Sequence, residues 1–331
     1  MEEIGVIGAG SWGTTLANLL ARKGFNVSLW VRRTKLCKSI AEKHENLEYL
    51  PDVRLSPDII PTTSLEESIR KDIVILSLPS HRIRDIIKNV RDSISQDTII
   101  VNTSKGIEED SLFTVSQVLK DVLSDVSYQG LAVLSGPSFA REVSKRLPAA
   151  VCIASENKKV ASMVQSIFNT PYFRVYTNLD VMGVEIGGAL KNVIAIASGI
   201  CDGLSLGNNG RAALITRGLA EITRLGISMG ARPETFSGLS GLGDLLLTCT
   251  GTLSRNHHVG FRLGKRGRLE DILSGMNMVA EGVRTTKAAY LLAKRYDIDM
   301  PITKQVYHIL YKNKSPREAV MELMERELKR E

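Results

Sequence analysis

Cysteine is scarce in this chain of 331 residues. The four present, Cys37, Cys152, Cys201 and Cys249, are scattered, with no CxxC pair and no His/Cys spacing of a metal site. That argues against a disulfide framework and against a resident metal, and it points to reduced thiols in the cytoplasm. Aromatic residues are few, at 5%, and no basic stripe interleaved with them occurs. Nucleic acid is therefore not an expected partner, and the net charge of +7 suits solubility or a small anionic ligand. No run of 18 apolar residues is present, so neither a transmembrane helix nor stable membrane insertion is expected. The start, "MEEIGVIGAG", has neither the basic region nor the cleavage site of a secretory signal. Internal repeats and low-complexity segments are also missing. What remains is an ordinary globular composition, long enough for two domains.

Short apolar runs alternate with helical patterns in the first half. "IGVIG", "NVSLWV", "DIVILSLP", "DTIIVNTS" and "LAVLSGP" read as strands, and "AAVCIASE" and "YFRVYT" as two more. Helices are expected at residues 14–23 and 81–90. Alternating units of this kind imply a doubly wound, Rossmann-like parallel sheet with helices on both faces. After about residue 178 β-branched runs give way to long helical patterns, at 180–203, 210–230 and 285–296. Near the end, Ser315, Pro316 and Glu318 form a helix start signal. The expectation is an α/β domain over 1–178 that binds a dinucleotide and an all-helical domain over 179–331 for substrate and catalysis.

"GVIGAGSWGTTLANLL" sets Gly8, Gly10 and Gly13 between a strand and an apolar helix. Three turn glycines alone mean little. Followed by a second strand about twenty residues on, they match a dinucleotide fingerprint. Gly8 permits the turn, Gly10 lets backbone approach the pyrophosphate, and Gly13 lets helix and strand pack, while the helix N-terminus offers donors to phosphate. The second strand ends "LWVRRT", with Arg32 and Arg33 where NAD-selective sites place a carboxylate. Arginine suits a 2′-phosphate, so NADP(H) is favoured and NAD(H) left open; the plainer reading is a solvated basic turn.

Further along, Lys105 in "TSKGIEE" and Gly136 and Ser138 in "SGPSFAREV" follow strands, at the carboxyl edge where open α/β sheets bind ligands. Asp244 and Thr248 are four apart and share a helix face. Ser254 reads as an N-cap with Arg255 and Asn256 in the first turn, an anion site without a carboxylate between Leu245 and Leu269. His257 and His258 lack a ligand cluster and read as structural or solvated. In "VEIGGALKNV" two glycines interrupt a helix, each costing roughly 1 kcal/mol relative to alanine, and without side chains they should let cofactor and substrate lie close against it. Lys191 there shares a face with Val184, Gly187, Gly188, Ile194, Ala195 and Ser198, which should point inward. The bland alternative is a lysine that snorkels or pairs with a structural carboxylate.

Taken in order, "GAGSWGT", "SKGIE", "GPSFAREV", "EIGGALKNVIAIASGI", "GLSGLGDLLLTCTGTLSRNHHVG", "VAEGVRTT" and "DMPITKQVY" resemble the bacterial-type NAD(P)-dependent glycerol-3-phosphate dehydrogenases over nearly the full length. The resemblance implies interconversion of dihydroxyacetone phosphate and sn-glycerol 3-phosphate, feeding phospholipid synthesis. It implies cofactor contacts from Ser11, Trp12, Arg32, Arg33, Lys105, Ala140, Arg255, Val279 and Glu281. It implies substrate contacts from Lys105, Gly136, Ser138, Lys191, Asp244, Ser254, Arg255 and Asn256, with Lys191 as the catalytic lysine; Thr248, on the face it shares with Asp244, is expected to help position that lysine. Fold analogy adds a homodimer through the helical domain. Two other readings stay open: a β-hydroxyacid or 6-phosphogluconate-type dehydrogenase, and a non-catalytic dinucleotide sensor. The sensor would have no need of Lys105, Lys191, Asp244 and Thr248 together.

Overall fold

The computed structural model describes residues 2–276, 278–328 and 330. By internal contacts the chain divides into two units, Met1–Lys105 with Phe113–Val184, and Gly106–Leu112 with Glu185–Glu331. The division lies beyond the 178 expected from the sequence, inside a long helix.

The first unit runs β1 (Glu3–Ile7), α1 (Ser11–Arg22), β2 (Asn26–Trp30), α2 (Thr34–Lys43), β3 (Glu45–Asn46), β4 (Leu50–Arg54), β5 (Ile59–Thr62), α3 (Leu65–Ile69), β6 (Ile73–Leu76), α4 (Ile83–Lys88), β7 (Ile99–Asn102), α5 (Val115–Val122), β8 (Gly130–Ser135), α6 (Ala140–Ser144), β9 (Ala149–Ala154), α7 (Lys158–Phe168) and β10 (Phe173–Asn178). All seven expected strands are present. Eight strands form one sheet in the order β10-β9-β8-β7-β6-β1-β2-β5, and β3 pairs with β4 in a small hairpin. The order reverses at β1, between β2 and β6, so the ends of β1 and its neighbours form the crevice where such sheets take ligands.

Alternation along the strands covers both faces. Ile73 and Ile75 join Leu16, Leu20, Ile40 and Val164 in one core, beneath α1, α2 and α7. Val74 and Leu76 join Ile83, Val118 and Leu119 in the other, beneath α4 and α5. Each such side chain, fully buried, contributes about 1.5–3 kcal/mol. Lys23, just past α1, caps the end of α7 by donating to the carbonyls of Ile167 and Asn169, each at 2.9 Å, and of Ser166.

The sheet departs from the parallel expectation on one edge. β9 is antiparallel to β8, and β10 is parallel to β9. The connection after β8 holds only the five-residue α6, which packs on α1 and does not run back along the sheet. The chain therefore re-enters from the end it left. α7 then supplies a full crossover to β10. The strands β3, β4 and β5 were not expected; "NLEYLPDVRLSPDII" carries two prolines and two aspartates among its apolar residues, which hides the period of two.

From α8 (Val181–Gly203) onward every regular element among the described residues is helical: α9 (Gly207–Ser228), α10 (Pro233–Phe236), a π turn (Leu239–Gly243), α11 (Asp244–Thr250), α12 (Arg255–Gly264), α13 (Leu269–Ser274), α14 (Glu281–Arg295), α15 (Pro301–Lys312) and α16 (Pro316–Met324). By length and composition alone α8 is apolar enough to cross a membrane, but its apolar window is wholly buried in the protein. It meets α12 backbone to backbone. A Cβ on Gly199 would sit 2.0 Å from the His257 carbonyl oxygen, and one on Gly260 2.0 Å from that of Ile196. Gly203 and Gly264 meet one turn further on. Elsewhere in the unit, the buried Glu221 of α9 caps α15, accepting from Ile302 N at 2.6 Å and Thr303 N at 3.1 Å. Ser315 does precede Pro316 at the start of α16, but its side chain makes no capping bond.

Candidate active site

The glycine turn after β1 is built for close approach. Gly8 has φ +118°, and a Cβ there would lie 2.4 Å from the Ser77 carbonyl oxygen. A Cβ on Gly13 would lie 1.9 Å from the Gly8 carbonyl oxygen, so this glycine seats α1 against the turn. Gly10 meets nothing within 4 Å, and as N-cap of α1 it offers no side-chain cap. The backbone N–H groups at the start of α1 thus face a cradle that a side chain would fill, which fits the pyrophosphate of a dinucleotide. Ser11 and Trp12 open α1 and are half-buried; the Trp12 ring lies 6.4 Å from that of Phe173. Ala140 opens α6, and its carbonyl accepts from Thr15 Oγ1 of α1 at 3.3 Å.

Two residues absent from the sequence reading hold this end together. Asn46, fully buried in the β3–β4 hairpin, donates to the Ala9 carbonyl at 2.9 Å and to Thr14 Oγ1 at 2.8 Å. Its own Oδ1 accepts from Tyr49 N at 3.2 Å. No local pattern marks an asparagine for that task. Arg32 and Arg33 follow β2 and are exposed. The second missed residue is Glu48, whose carboxylate lies 2.5 Å from the Arg33 guanidinium. Arg33 also donates to the Tyr49 hydroxyl at 2.9 Å and lies over its ring at 5.5 Å. The hydrogen bond that Arg33 donates to Glu48 holds Arg33 above its ordinary pKa. A carboxylate does lie close, brought by the hairpin and not by the end of β2.

At the same edge of the sheet Lys105 and the 136–138 loop come together. Lys105 Nζ donates to the Gly136 carbonyl at 3.2 Å, and Ser138 Oγ donates to the same oxygen at 3.0 Å. Gly136 has φ +135°, and a Cβ there would lie 2.9 Å from the Val151 Cα, so no side chain fits.

In the second unit Lys191 is buried on α8. Its Nζ donates to Asp244 Oδ1 at 2.6 Å and to Thr248 Oγ1 at 2.8 Å, and both acceptors are buried. Thr248 in turn donates to the Asp244 carbonyl at 2.6 Å, so the expected i, i+4 face of α11 is the face that meets the lysine. A buried ammonium is costly unless paired, and Asp244 supplies the pair. The π turn before α11 aims Asp244. A Cβ on Gly187 would lie 2.6 Å from the Ser240 carbonyl oxygen, and one on Gly241 2.2 Å from that of Phe236. Gly187 thus accommodates the chain's own backbone, where a bound ligand had been the expectation. Beneath the cluster, burial pushes the Cys249 thiol up to about 12, so it carries no charge there.

The first turn of α12 is capped as expected: Ser254 Oγ accepts from His257 N at 3.2 Å. Arg255 donates to the Val279 carbonyl at 2.8 Å; desolvation brings its pKa below the ordinary value, and the Glu281 carboxylate opposes that shift. Asn256 is buried and tied into the protein. It donates to Asn192 Oδ1 at 2.8 Å and accepts from Gly282 N at 3.0 Å, which joins α8, α12 and α14. Asn192, next to Lys191, was not singled out in the sequence. His257 is structural: its Nε2 lies 2.9 Å from Asp202, which Arg211 also holds at 3.1 Å.

The family model for the NAD-dependent glycerol-3-phosphate dehydrogenase N-terminus matches residues 3–161, and that for the C-terminus matches residues 180–321. A glycerol-3-phosphate dehydrogenase, NAD(P)+, of Geobacter sulfurreducens is 56% identical over 100% of this chain and 99% of its own. One of Moorella thermoacetica is 51% identical over 98% and 96%. The crystal structure of glycerol-3-phosphate dehydrogenase from Coxiella burnetii superimposes with a TM-score of 0.93 at 39% identity, over 98% of this chain and 99% of that one. With a glycine turn after β1 in the first unit, a buried lysine–carboxylate pair in the second and both family halves matched in order, the chain belongs to the glycerol-3-phosphate dehydrogenase family.

Proposed function

We propose that this protein is an NAD(P)-dependent glycerol-3-phosphate dehydrogenase that interconverts dihydroxyacetone phosphate and sn-glycerol 3-phosphate. The observation that carries the reading is the buried Lys191–Asp244–Thr248 cluster, in a chain of this family. Residues 1–178 are assigned to the dinucleotide and 179–331 to substrate and catalysis. Gly8, Gly10, Ser11, Trp12, Gly13 and Ala140 would hold the dinucleotide, together with Lys105, Arg255, Val279 and Glu281. Arg33, with Arg32, receives a 2′-phosphate, so NADP(H) is the favoured cofactor and NAD(H) is also accepted. The name shared by the bacterial relatives supports that pairing.

When bound, the dinucleotide supplies the hydride for carbon 2 of the ketone. The remaining work falls to side chains. As the hydride adds, the carbonyl electrons move onto oxygen, and the Lys191 ammonium stabilises that charge and gives up a proton to it. In the reverse direction the neutral amine takes the hydroxyl proton. Asp244 and Thr248 orient Nζ, and Asp244 compensates its charge whenever it is protonated. Arg255 and the open N–H groups of α12, shaped by Ser254 and Asn256, bind the phosphate, with charge-assisted bonds worth roughly 1.5–3 kcal/mol each. Lys105, Gly136 and Ser138 complete the substrate contacts. The same reading puts the enzyme in the cytoplasm, as a homodimer, where it supplies glycerol 3-phosphate for phospholipid synthesis; fold analogy alone supports the dimer.

The test is NADPH and NADH oxidation with dihydroxyacetone phosphate as the only ketone. Turnover with production of glycerol 3-phosphate is expected. Activity on a β-hydroxyacid or 6-phosphogluconate in its place would favour the related dehydrogenases. Dinucleotide binding without turnover of any of these would make the protein a sensor.

A further inference from the structure

We propose that Glu48 is a positioning residue that sets cofactor preference by holding Arg33 whenever no 2′-phosphate is there to take it. The proposal rests on the reading of Arg33 as the 2′-phosphate ligand. Arg33, three residues past the end of β2, is the N-cap of α2 with extended backbone, and its guanidinium is met from one side by the β3–β4 hairpin. That hairpin contributes the Glu48 carboxylate at 2.5 Å, the Tyr49 hydroxyl at 2.9 Å and the Tyr49 ring at 5.5 Å. Asn46 fastens the same hairpin to the glycine turn, through Ala9 O and Thr14 Oγ1, and holds Tyr49 N. The carboxylate is therefore anchored to the nucleotide turn and not left on a wandering loop.

Exposure makes the pair exchangeable. The two side chains are 46% and 37% exposed, and an ion pair of that kind contributes little in water. A phosphate monoester carries a charge of about −1.5 to −2 and three acceptor oxygens, so it outcompetes one carboxylate for the guanidinium fork. Tyr49 stays behind the guanidinium as a stacking surface. With a 2′-hydroxyl cofactor the phosphate is missing, and Glu48 keeps Arg33 neutralised and in place. Glu48 thus opposes NADP(H) more than NAD(H) and narrows the gap between them, which an arginine alone at this position would widen.

The experiment measures KM for NADPH and NADH in the full chain, and calorimetric Kd for adenosine 2′,5′-bisphosphate and AMP. It compares the wild type, Glu48→Gln, Glu48→Asp, Arg33→Ala and the Glu48→Gln/Arg33→Ala double variant. Glu48→Gln is expected to shift the KM ratio toward NADPH by about two- to fivefold, an effect that shrinks with added salt. It should tighten the bisphosphate relative to AMP, and Glu48→Asp should stay near the wild type. In the Arg33→Ala background the shift should vanish. An unchanged ratio in Glu48→Gln overturns the proposal, as does a shift of the same size without Arg33, which would mark a general charge effect. An Arg33→Ala variant with an unmoved ratio overturns the assignment of Arg33 itself, a failure legible from that single variant.

Discussion

Gly10 in the first unit and the glycines of α8 in the second serve opposite purposes. In the turn after β1, Gly8 provides a left-handed conformation and Gly10 leaves space that no atom of the chain fills. Along α8, Gly187 and Gly199 leave space that the chain itself fills, with the Ser240 and His257 carbonyls. At Gly10 the turn is open, the room a ligand would need; the α8 crossing is tight, so that Lys191, Asp244 and the start of α12 are held on rigid helices. Gly10 should be expendable for folding, and a glycine in the helix crossing should not.

The largest effect expected from breaking this contrast is at the lysine. Lys191→Ala should lower turnover by at least about 10²–10⁴, the usual reach of general acid–base catalysis, while NADPH still binds and the fold is kept. Lys191→Arg should not restore it, because a guanidinium stays protonated. A variant with near wild-type turnover would reduce the pair with Asp244 to packing. Next is Arg255→Ala, for which the KM of dihydroxyacetone phosphate should rise about 10- to 100-fold from lost charge-assisted bonds. NADPH affinity, measured separately, reports how much of that loss passes through the Val279–Glu281 contacts. An unchanged KM would place the phosphate elsewhere.

The glycines themselves give the sharper comparison. Gly199→Ala drives a methyl into the His257 carbonyl and should cost about 1–3 kcal/mol of stability in urea unfolding, or prevent folding. Gly10→Ala should keep wild-type stability and weaken NADPH binding about tenfold or more, since its methyl enters the phosphate cradle. Equal stability losses in the two variants would erase the distinction drawn here. The smallest effect lies away from these glycines. Burial pushes Glu221 from 4.5 up to about 7, so its folded pKa lies above its unfolded one. Its contribution to stability is therefore complete below about pH 4.5 and is lost as the pH rises through 7. The stability of the wild type relative to Glu221→Gln should fall across that range, and a difference independent of pH would show that the carboxyl is not displaced.

Much of the architecture could be read before any coordinates. Fingerprint glycines between a strand and a helix, a period of two in the first half and of 3.6 in the second, and Asp244 four residues before Thr248 are local patterns. Local patterns survive in one dimension because backbone geometry fixes which side chains share a face. Ser254 is of the same kind, since a cap acts within three residues of itself.

Other features depend on residues that are remote in sequence, and tertiary structure alone decided them. Nothing near Asn46 or Glu48 announces that a hairpin brings them to the glycine turn and to Arg33. The antiparallel entry of β9 followed from where α6 packs, not from any property of "AAVCIASE". The reason for Gly187 lies in a carbonyl fifty-three residues away, at Ser240. The sequence by itself determined which elements form and which chemical groups they carry, because propensity, capping and periodicity are short-range. Which groups meet was decided by packing, because burying a lysine, an asparagine or a bare helix backbone is tolerable only where a distant segment supplies the matching charge, hydrogen bond or surface.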